Sequence, residues 1–332
     1  MEENRLDLAG FENLVQALKN SSRQVLVFGA GRGGWYVMRV LQYLRIPIKC
    51  FLDNDLAKTE KGFFGYPVCT PVHMAQSSIT QEIVFPALLN PGNYPVVKRQ
   101  LQVCGYEKIF YCVDVFLYLF FTKVNKRYCN EKVFYRNLAA YFRRKKVLLC
   151  SPSLSYVLTQ KCTLRCRDCG AFVNYYKKPK HIDPETVIND IKTYCQAFDI
   201  VHHIALQGGE PFLHPAISEI VEEISAIENL LFIDFVTNGT VLPVDSVLRK
   251  LSELGGCIII SDYGPVSHKL DKLASNCLAY GIYCDFYRYG ESDWGRQTPI
   301  FKRNRSIDEN DAIFQECITH PFLCCQLMLP VP

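Results

Sequence analysis

The stretch SYVLTQKCTLRCRDC, residues 155–169, decides the fold of the second half of the chain. Its opening residues, SYVLT, read as a strand, and Cys162, Cys166 and Cys169 follow at once in a C-x3-C-x2-C loop. A tight loop at a strand end can wrap three thiolates around one metal cluster. Three ligands rather than four is informative, because a cubane iron–sulfur cluster has four irons. The iron left without protein sulfur can bind substrate, as a catalytic zinc keeps one position open. With 16 cysteines in 332 residues, about 0.04 such triads are expected by chance. The competing reading is a structural zinc ion completed by a distant Cys or His.

Outward from the triad, strands near HIALQ, LFIDFVT, CIIISDY and IYCDFY follow, each after a helix-sized segment, so five repeats predict a partial β/α barrel. The second predicted strand runs into Gly208, Gly209, Glu210 and Pro211; the third ends in Thr237, Asn238, Gly239 and Thr240; the fourth ends in Ser261 and Asp262. Glycines let a backbone approach a ligand closely, and a carboxylate or free carbonyl can bind an ammonium group. Asn-Gly and Asp-x-Gly are also common turn signals.

The triad after strand one, GGEP after strand two and TNG after strand three resemble the radical S-adenosylmethionine family. That resemblance implies a (β/α)6-type partial barrel, with Cys162, Cys166 and Cys169 as ligands of a [4Fe-4S] cluster. It further implies that the open iron chelates S-adenosylmethionine, and that an electron from a reductant such as flavodoxin or ferredoxin breaks a carbon–sulfur bond. The 5'-deoxyadenosyl radical so formed abstracts hydrogen from a substrate. Gly208, Gly209, Glu210, Asn238, Ser261 and Asp262 are the implied S-adenosylmethionine contacts. The residue before the last cysteine, often aromatic or apolar in the family, is Asp168 here.

Toward the N-terminus, VLVF at 25–28 reads as a buried strand, followed by GAGRGG at 29–34 and an apolar-periodic helix to about residue 44. Gly29, Gly31 and Gly34 form G-x-G-x-x-G between strand and helix, and Asp53 ends the next strand. Free amides at the helix start favour a phosphate, and Asp53 could accept from a ribose hydroxyl. Further strands in EIVF and KIFYC extend a Rossmann-like parallel sheet. GAGRGG, FLDND and GYPV resemble nucleotide-binding domains found on some sugar-modifying enzymes, which implies a nucleotide or nucleotide sugar as ligand. A vacant Rossmann-like docking domain is the alternative. A nucleotide-binding protein or dehydrogenase carrying structural zinc is the alternative for the whole chain.

Four segments are therefore expected: a Rossmann-like domain at 1–115, a basic helical connector at 116–150, the barrel core at 151–295 and a tail at 296–332. Residues 121–150 hold nine Lys or Arg against Glu131 alone, a local charge of +8 in a chain of +4, so the remainder is −4. Phe134, Leu138, Tyr141 and Phe142 share one face there, and the basic residues cover the other. No recognised nucleic-acid module accompanies this charge, so nucleic acid is not an expected partner. A small molecule or a peptide is the expected substrate.

In the tail, Cys317, Cys324 and Cys325 resemble the start of the auxiliary-cluster (SPASM or twitch-like) extension that follows some barrels of the family. The expectation is a chain shortened relative to its relatives. With 49% hydrophobic residues, material for buried cores is ample, which excludes wholesale disorder. The longest apolar stretches, such as VFLYLFF at 115–121, fall short of the roughly 20 residues that cross a bilayer. An acidic N-terminus without an apolar export stretch gives the expectation of a cytoplasmic protein.

Overall fold

VLVF forms β1 (Val25–Phe28) with all four side chains buried, as its unbroken apolar run predicts. The computed structural model describes residues 6–21, 23–77, 82–125, 131–142, 149–151, 153–166, 169–288 and 304–316. The chain divides into two compact units, Met1–Leu148 and Leu149–Pro332.

In the first unit α1 (Leu8–Ser21) precedes β1, and α2 (Arg32–Leu44) leads to β2 (Ile48–Leu52). Then come α3 (Leu56–Lys61), β3 (Val68–Cys69), α4 (Pro71–Ser77), β4 (Ile83–Pro86) and α5 (Tyr94–Val103). The sheet is parallel in the order β3-β2-β1-β4, so the strand order reverses beside β1. The strand predicted in KIFYC shrinks to a single bridge between Val84 and Ile109. The chain leaves the sheet there because Cys112 already caps α6 (Val113–Leu119), which continues through a π-helical turn at Phe120–Val124.

Every residue of α6 is buried, which accounts for its apolar run. Phe116 meets Phe11 and Phe85 at 5.0 and 5.2 Å, and Phe120 meets Trp35 and Tyr36 at 5.3 and 4.9 Å. On α7 (Glu131–Phe142) the expected apolar face buries Phe134, Leu138 and Phe142. Tyr118 on α6 donates to Glu131 at 3.0 Å, and Lys123 pairs with the same carboxylate at 2.8 Å. The helices from 113 to 142 thus group with the first unit.

The second unit is one sheet of parallel pairs. β5 (Cys150–Ser151) and β6 (Leu154–Thr159) both pair with β7 (Ile200–Gly208), and β8 (Leu230–Thr237), β9 (Cys257–Asp262) and β10 (Tyr283–Arg288) follow in sequence order. The crossovers are α8 (Pro184–Gln196), α9 (Ile217–Ser225), α10 (Asp245–Leu254) and α11 (Leu270–Tyr280); α12 (Ile307–Glu316) comes later. Asp183 caps α8 through the Thr186 amide, with Pro184 at the first helical position.

The crossover helices bury Val187, Ile191, Ile220, Ile224, Leu248 and Leu251 in one core with Ile204, Leu206, Ile233 and Phe235 of the sheet. Each such side chain contributes about 1.5–3 kcal/mol by leaving water. Parallel pairing puts the C-terminal ends of β6 to β10 along one edge. The triad, GGEP, TNG and the Ser261–Asp262 pair all lie at or just past these strand ends. No helix among the described residues is long and apolar enough to cross a membrane.

Candidate active site

The loop between β6 and α8 is pinned shut at its base. Gln160 donates its amide to the Lys180 carbonyl at 2.9 Å, and its side-chain oxygen accepts from the Lys180 amide at 3.2 Å. Ile182 donates to Leu158 at 2.9 Å, and the Thr159 hydroxyl meets His181 Nδ1 at 2.9 Å. Within this loop Asn174 donates to the Cys166 carbonyl at 2.6 Å and Phe172 to the Cys169 carbonyl at 3.0 Å. All three cysteines are partly exposed, and no disulfide joins them. Asp168 and Arg167 lie outside the described residues.

The thiols sense one another. Burial pushes the Cys162 thiol up, the Leu164 amide opposes this, and Glu210, Cys166 and Cys169 add to the rise. Burial also raises Cys166, with Cys169 adding to it. The raised Cys162 and Cys166 thiols ionise more readily beside positive charge, which bound iron or zinc supplies. The donor set therefore fits a thiolate-ligated metal group. Among the described residues no three Cys, His, Asp or Glu side chains converge as a single ion requires.

Gly208 and Gly209 make room for this loop. A Cβ on Gly209 would stand 2.0 Å from the Lys161 carbonyl oxygen and 3.0 Å from the Cys162 Cβ. One on Gly208, whose φ is +140°, would meet the Thr159 oxygen at 2.4 Å. In return Gly209 donates to Thr159 at 2.7 Å and Glu210 to Lys161 at 2.9 Å. The two glycines thus seat the triad loop against the end of β7. Their sequence signal was read as room for a ligand; the close approach the structure adds is to the chain's own backbone.

Glu210 has 0% exposure. Its carboxylate accepts from the Thr237 hydroxyl at 2.8 Å, the Asn238 amide at 2.9 Å and the Phe212 amide at 3.3 Å. Burial pushes the group up to about 7 despite these donors. The side chain braces β7 to β8.

Asn238 is buried at the end of β8 and donates through Nδ2 to Cys162 Sγ at 3.4 Å and Thr163 Oγ1 at 3.2 Å. The Thr163 and Thr240 hydroxyls bond each other. Glu210 and Asn238 are thereby brought to Cys162. Ser261 and Asp262 lie at the end of β9: Asp262 accepts from the Gly264 amide at 2.8 Å and Arg288 Nε at 2.9 Å, and the Ser261 carbonyl accepts from Ser267. Thr163 and Arg288 were not singled out by the sequence, and Thr237 and Thr240 were named only as members of the motif ending the third strand. Their signal was position alone, at or just past a strand end.

Residues 156–262, which hold the triad, GGEP, TNG and Asp262, match the Radical SAM superfamily. The GTP 3',8-cyclase of Aquifex aeolicus is 34% identical over 101 residues, 30% of this chain and 30% of that protein. The 7-carboxy-7-deazaguanine synthase of Halobacterium salinarum is 31% identical over 107 residues, 31% of this chain and 39% of that protein. The chain thus spans well under half the length of these curated relatives. A solved structure of anSMEcpe with bound AdoMet is 21% identical, covering 40% of this chain and 42% of that one, with a TM-score of 0.35. That TM-score is too low for the likeness to bear on fold or activity.

His214 is buried, with Nε2 on the Ile182 carbonyl at 2.8 Å and Nδ1 accepting from the Ala216 amide at 3.2 Å. His181 packs on it at 5.2 Å and is held below its ordinary value by burial, Lys161 and His214.

In the first unit, Gly29 follows β1 with φ +107° and Gly31 caps α2. A Cβ on Gly34 would stand 2.0 Å from the Gly29 oxygen, and one on Gly33 would stand 1.9 Å from the Ala87 oxygen. Asp53 Oδ2 accepts from the Ala30 amide at 2.8 Å and Lys58 at 3.1 Å, and Oδ1 accepts from the Asp55 amide at 3.0 Å. Asp53 is thereby tied to the glycine loop beside the reversal of strand order.

Proposed function

We propose that this chain is a radical SAM enzyme that cleaves S-adenosylmethionine reductively and abstracts hydrogen from a sugar-linked, nucleotide-linked or peptide substrate. The observation that carries the proposal is three cysteines on one closed loop at the C-terminal edge of a parallel sheet, seated on a Gly-Gly pair. Cys162, Cys166 and Cys169 would hold a [4Fe-4S] cluster, which when bound supplies an open iron and one electron for carbon–sulfur cleavage. The chain's own share is positional. Gly208 and Gly209 admit the loop, Glu210 braces its floor, and Asp262 with Arg288 lines the rim.

Anaerobically reconstituted protein is expected to be brown, to hold about four irons and to release 5'-deoxyadenosine under reductant. Cys166→Ala should lose both cluster and product. Colourless protein containing only zinc, with no product, would defeat the reading in favour of a structural zinc site.

The partial barrel, the reductant of flavodoxin or ferredoxin type and a reducing, cytoplasmic setting belong to the same proposal. We further propose that the first unit is a Rossmann-like domain for a nucleotide or nucleotide sugar, held at Gly29, Gly31, Gly34 and Asp53. The reversal of strand order beside β1 supports it, and the name of one relative, a GTP cyclase, agrees with a nucleotide-type substrate. Nucleotide binding that survives loss of both Gly31 and Asp53 would remove this pocket. Cys317, Cys324 and Cys325 lie outside the described residues; as ligands of an auxiliary cluster they would raise the count to about eight irons.

A further inference from the structure

Both ends of the Asn238 amide are committed within the protein. Oδ1 accepts from the Thr240 amide at 3.0 Å and the Thr240 hydroxyl at 2.6 Å. A backbone N–H can only donate, so the end facing it must be the oxygen, and the orientation of the amide is fixed by chemistry. Nδ2 therefore faces the triad loop, donating to Cys162 Sγ at 3.4 Å and to Thr163 Oγ1 at 3.2 Å. The backbone is held as well, through the Asn238 amide on Glu210 Oε2 at 2.9 Å. A buried side chain fastened at three points presents its donor to the sulfur at fixed geometry. The Leu164 amide reaches the same sulfur at 3.4 Å, so Cys162 receives two N–H donors.

We infer that Asn238 is a positioning residue that raises the reduction potential of the cluster through its Nδ2–H bond to Cys162 Sγ, an inference that rests on the cluster assignment proposed above. A bound cluster would take up one electron from an external reductant, and its sulfurs would then carry more negative charge. An N–H dipole with its positive end on a ligand sulfur stabilises that reduced form more than the oxidised one. With Oδ1 on Thr240 and Nδ2 on the loop, both ends of the amide are engaged within the protein.

The test is a potentiometric titration of anaerobically reconstituted full-length protein, without S-adenosylmethionine, followed by the electron-paramagnetic signal of the reduced cluster. Asn238→Asp keeps an oxygen for Thr240 and replaces the donor by an acceptor; Asn238→Ala removes both. At full iron content both are expected to lower the midpoint, with the reduction equilibrium about three- to tenfold less favourable. A tenfold change corresponds to about 59 mV for one electron. An unchanged midpoint in both overturns the inference, even if stability falls, because a purely structural residue would move only the stability. Should neither variant take up iron, Thr240→Val, which loosens the anchor and leaves the donor, carries the test: a smaller fall supports the inference and no change overturns it. Wild-type protein that holds no iron refutes the cluster assignment instead, so the two failures are told apart.

Discussion

The Thr237 hydroxyl donates to the buried Glu210 carboxylate at 2.8 Å, binding the end of β8 to the end of β7 directly beneath the triad loop. Glu210 is held near 7 by burial, above the ordinary carboxylate value of 4.5. In the metal-free protein the sign follows. Between about pH 4.5 and pH 7 the folded state binds the proton more than the unfolded state does, so stability falls as pH rises through that window and levels off above it. Glu210→Gln removes the titration, and thermal melting across pH 5–8 should lose this slope. The variant also leaves a donor facing a donor, since Thr237 and two amides all donate, at a cost of about 1–3 kcal/mol. A wild-type protein whose melting temperature rises from pH 5 to pH 7 through this group would contradict the assignment.

Gly209 faces the Lys161 oxygen and Gly264 faces open space, so one substitution should behave differently at the two sites. Gly209→Ala puts a methyl 2.0 Å from a backbone oxygen that has no rotamer to escape into. The triad loop must shift, and we expect a loss above about 3 kcal/mol together with loss of iron uptake. Gly264→Ala meets only its positive φ of 68°, a strain of about 1–2 kcal/mol, and should keep its iron. Paired denaturation curves and iron assays check both, and equal damage would mean that the close packing at Gly209 is not what matters.

What the sequence made legible follows the reach of its signals. Unbroken apolar runs such as VLVF announce buried strands because every position meets a core, and β1 and β6 to β10 fall where they were expected. KIFYC carries the same apolar signal, yet the chain leaves after one bridge, since a run cannot tell a strand from the approach to a buried helix. The spacing of Cys162, Cys166 and Cys169 was visible because three cysteines in eight residues is a local pattern. The Asn238–Cys162 and Glu210–Thr237 bonds join residues 76 and 27 positions apart. Only strand order brings them together, and no local pattern records it.

Gly33 lies between the second and third glycines of the G-x-G-x-x-G pattern and is not part of it, yet its missing Cβ is what lets α2 close on the end of β4. Gly33→Ala would set a methyl 1.9 Å from the Ala87 oxygen, a contact as severe as the 2.0 Å that Gly34→Ala makes with Gly29. Both variants should destabilise the first unit by more than about 3 kcal/mol, seen in chemical denaturation followed by Trp35, which is buried in that unit. A mild effect at Gly33 beside a large one at Gly34 would show that the β4 side of this junction yields.

Arg288 and Asp262 join the ends of β10 and β9 at 2.9 Å, but the arginine side chain is 83% exposed and the aspartate 7%. An ion pair with one solvated partner contributes little, so Arg288→Ala should cost under about 1 kcal/mol. Asp262→Ala should cost more, because it also strips the Gly264 amide of its acceptor and leaves a turn beside the candidate site uncapped. Arg288 and the Gly264 amide both hold Asp262 below the ordinary carboxylate range against the opposing effect of burial. The group therefore stays ionised as pH falls, and its contribution should persist through neutral and mildly acidic conditions. A double-mutant cycle over the two positions, read by urea denaturation at pH 7 and at low and high salt, separates the effects. The pair's coupling should shrink with salt while the Asp262→Ala loss remains, and a coupling energy that equals the whole Asp262 effect would mean that the turn contributes nothing.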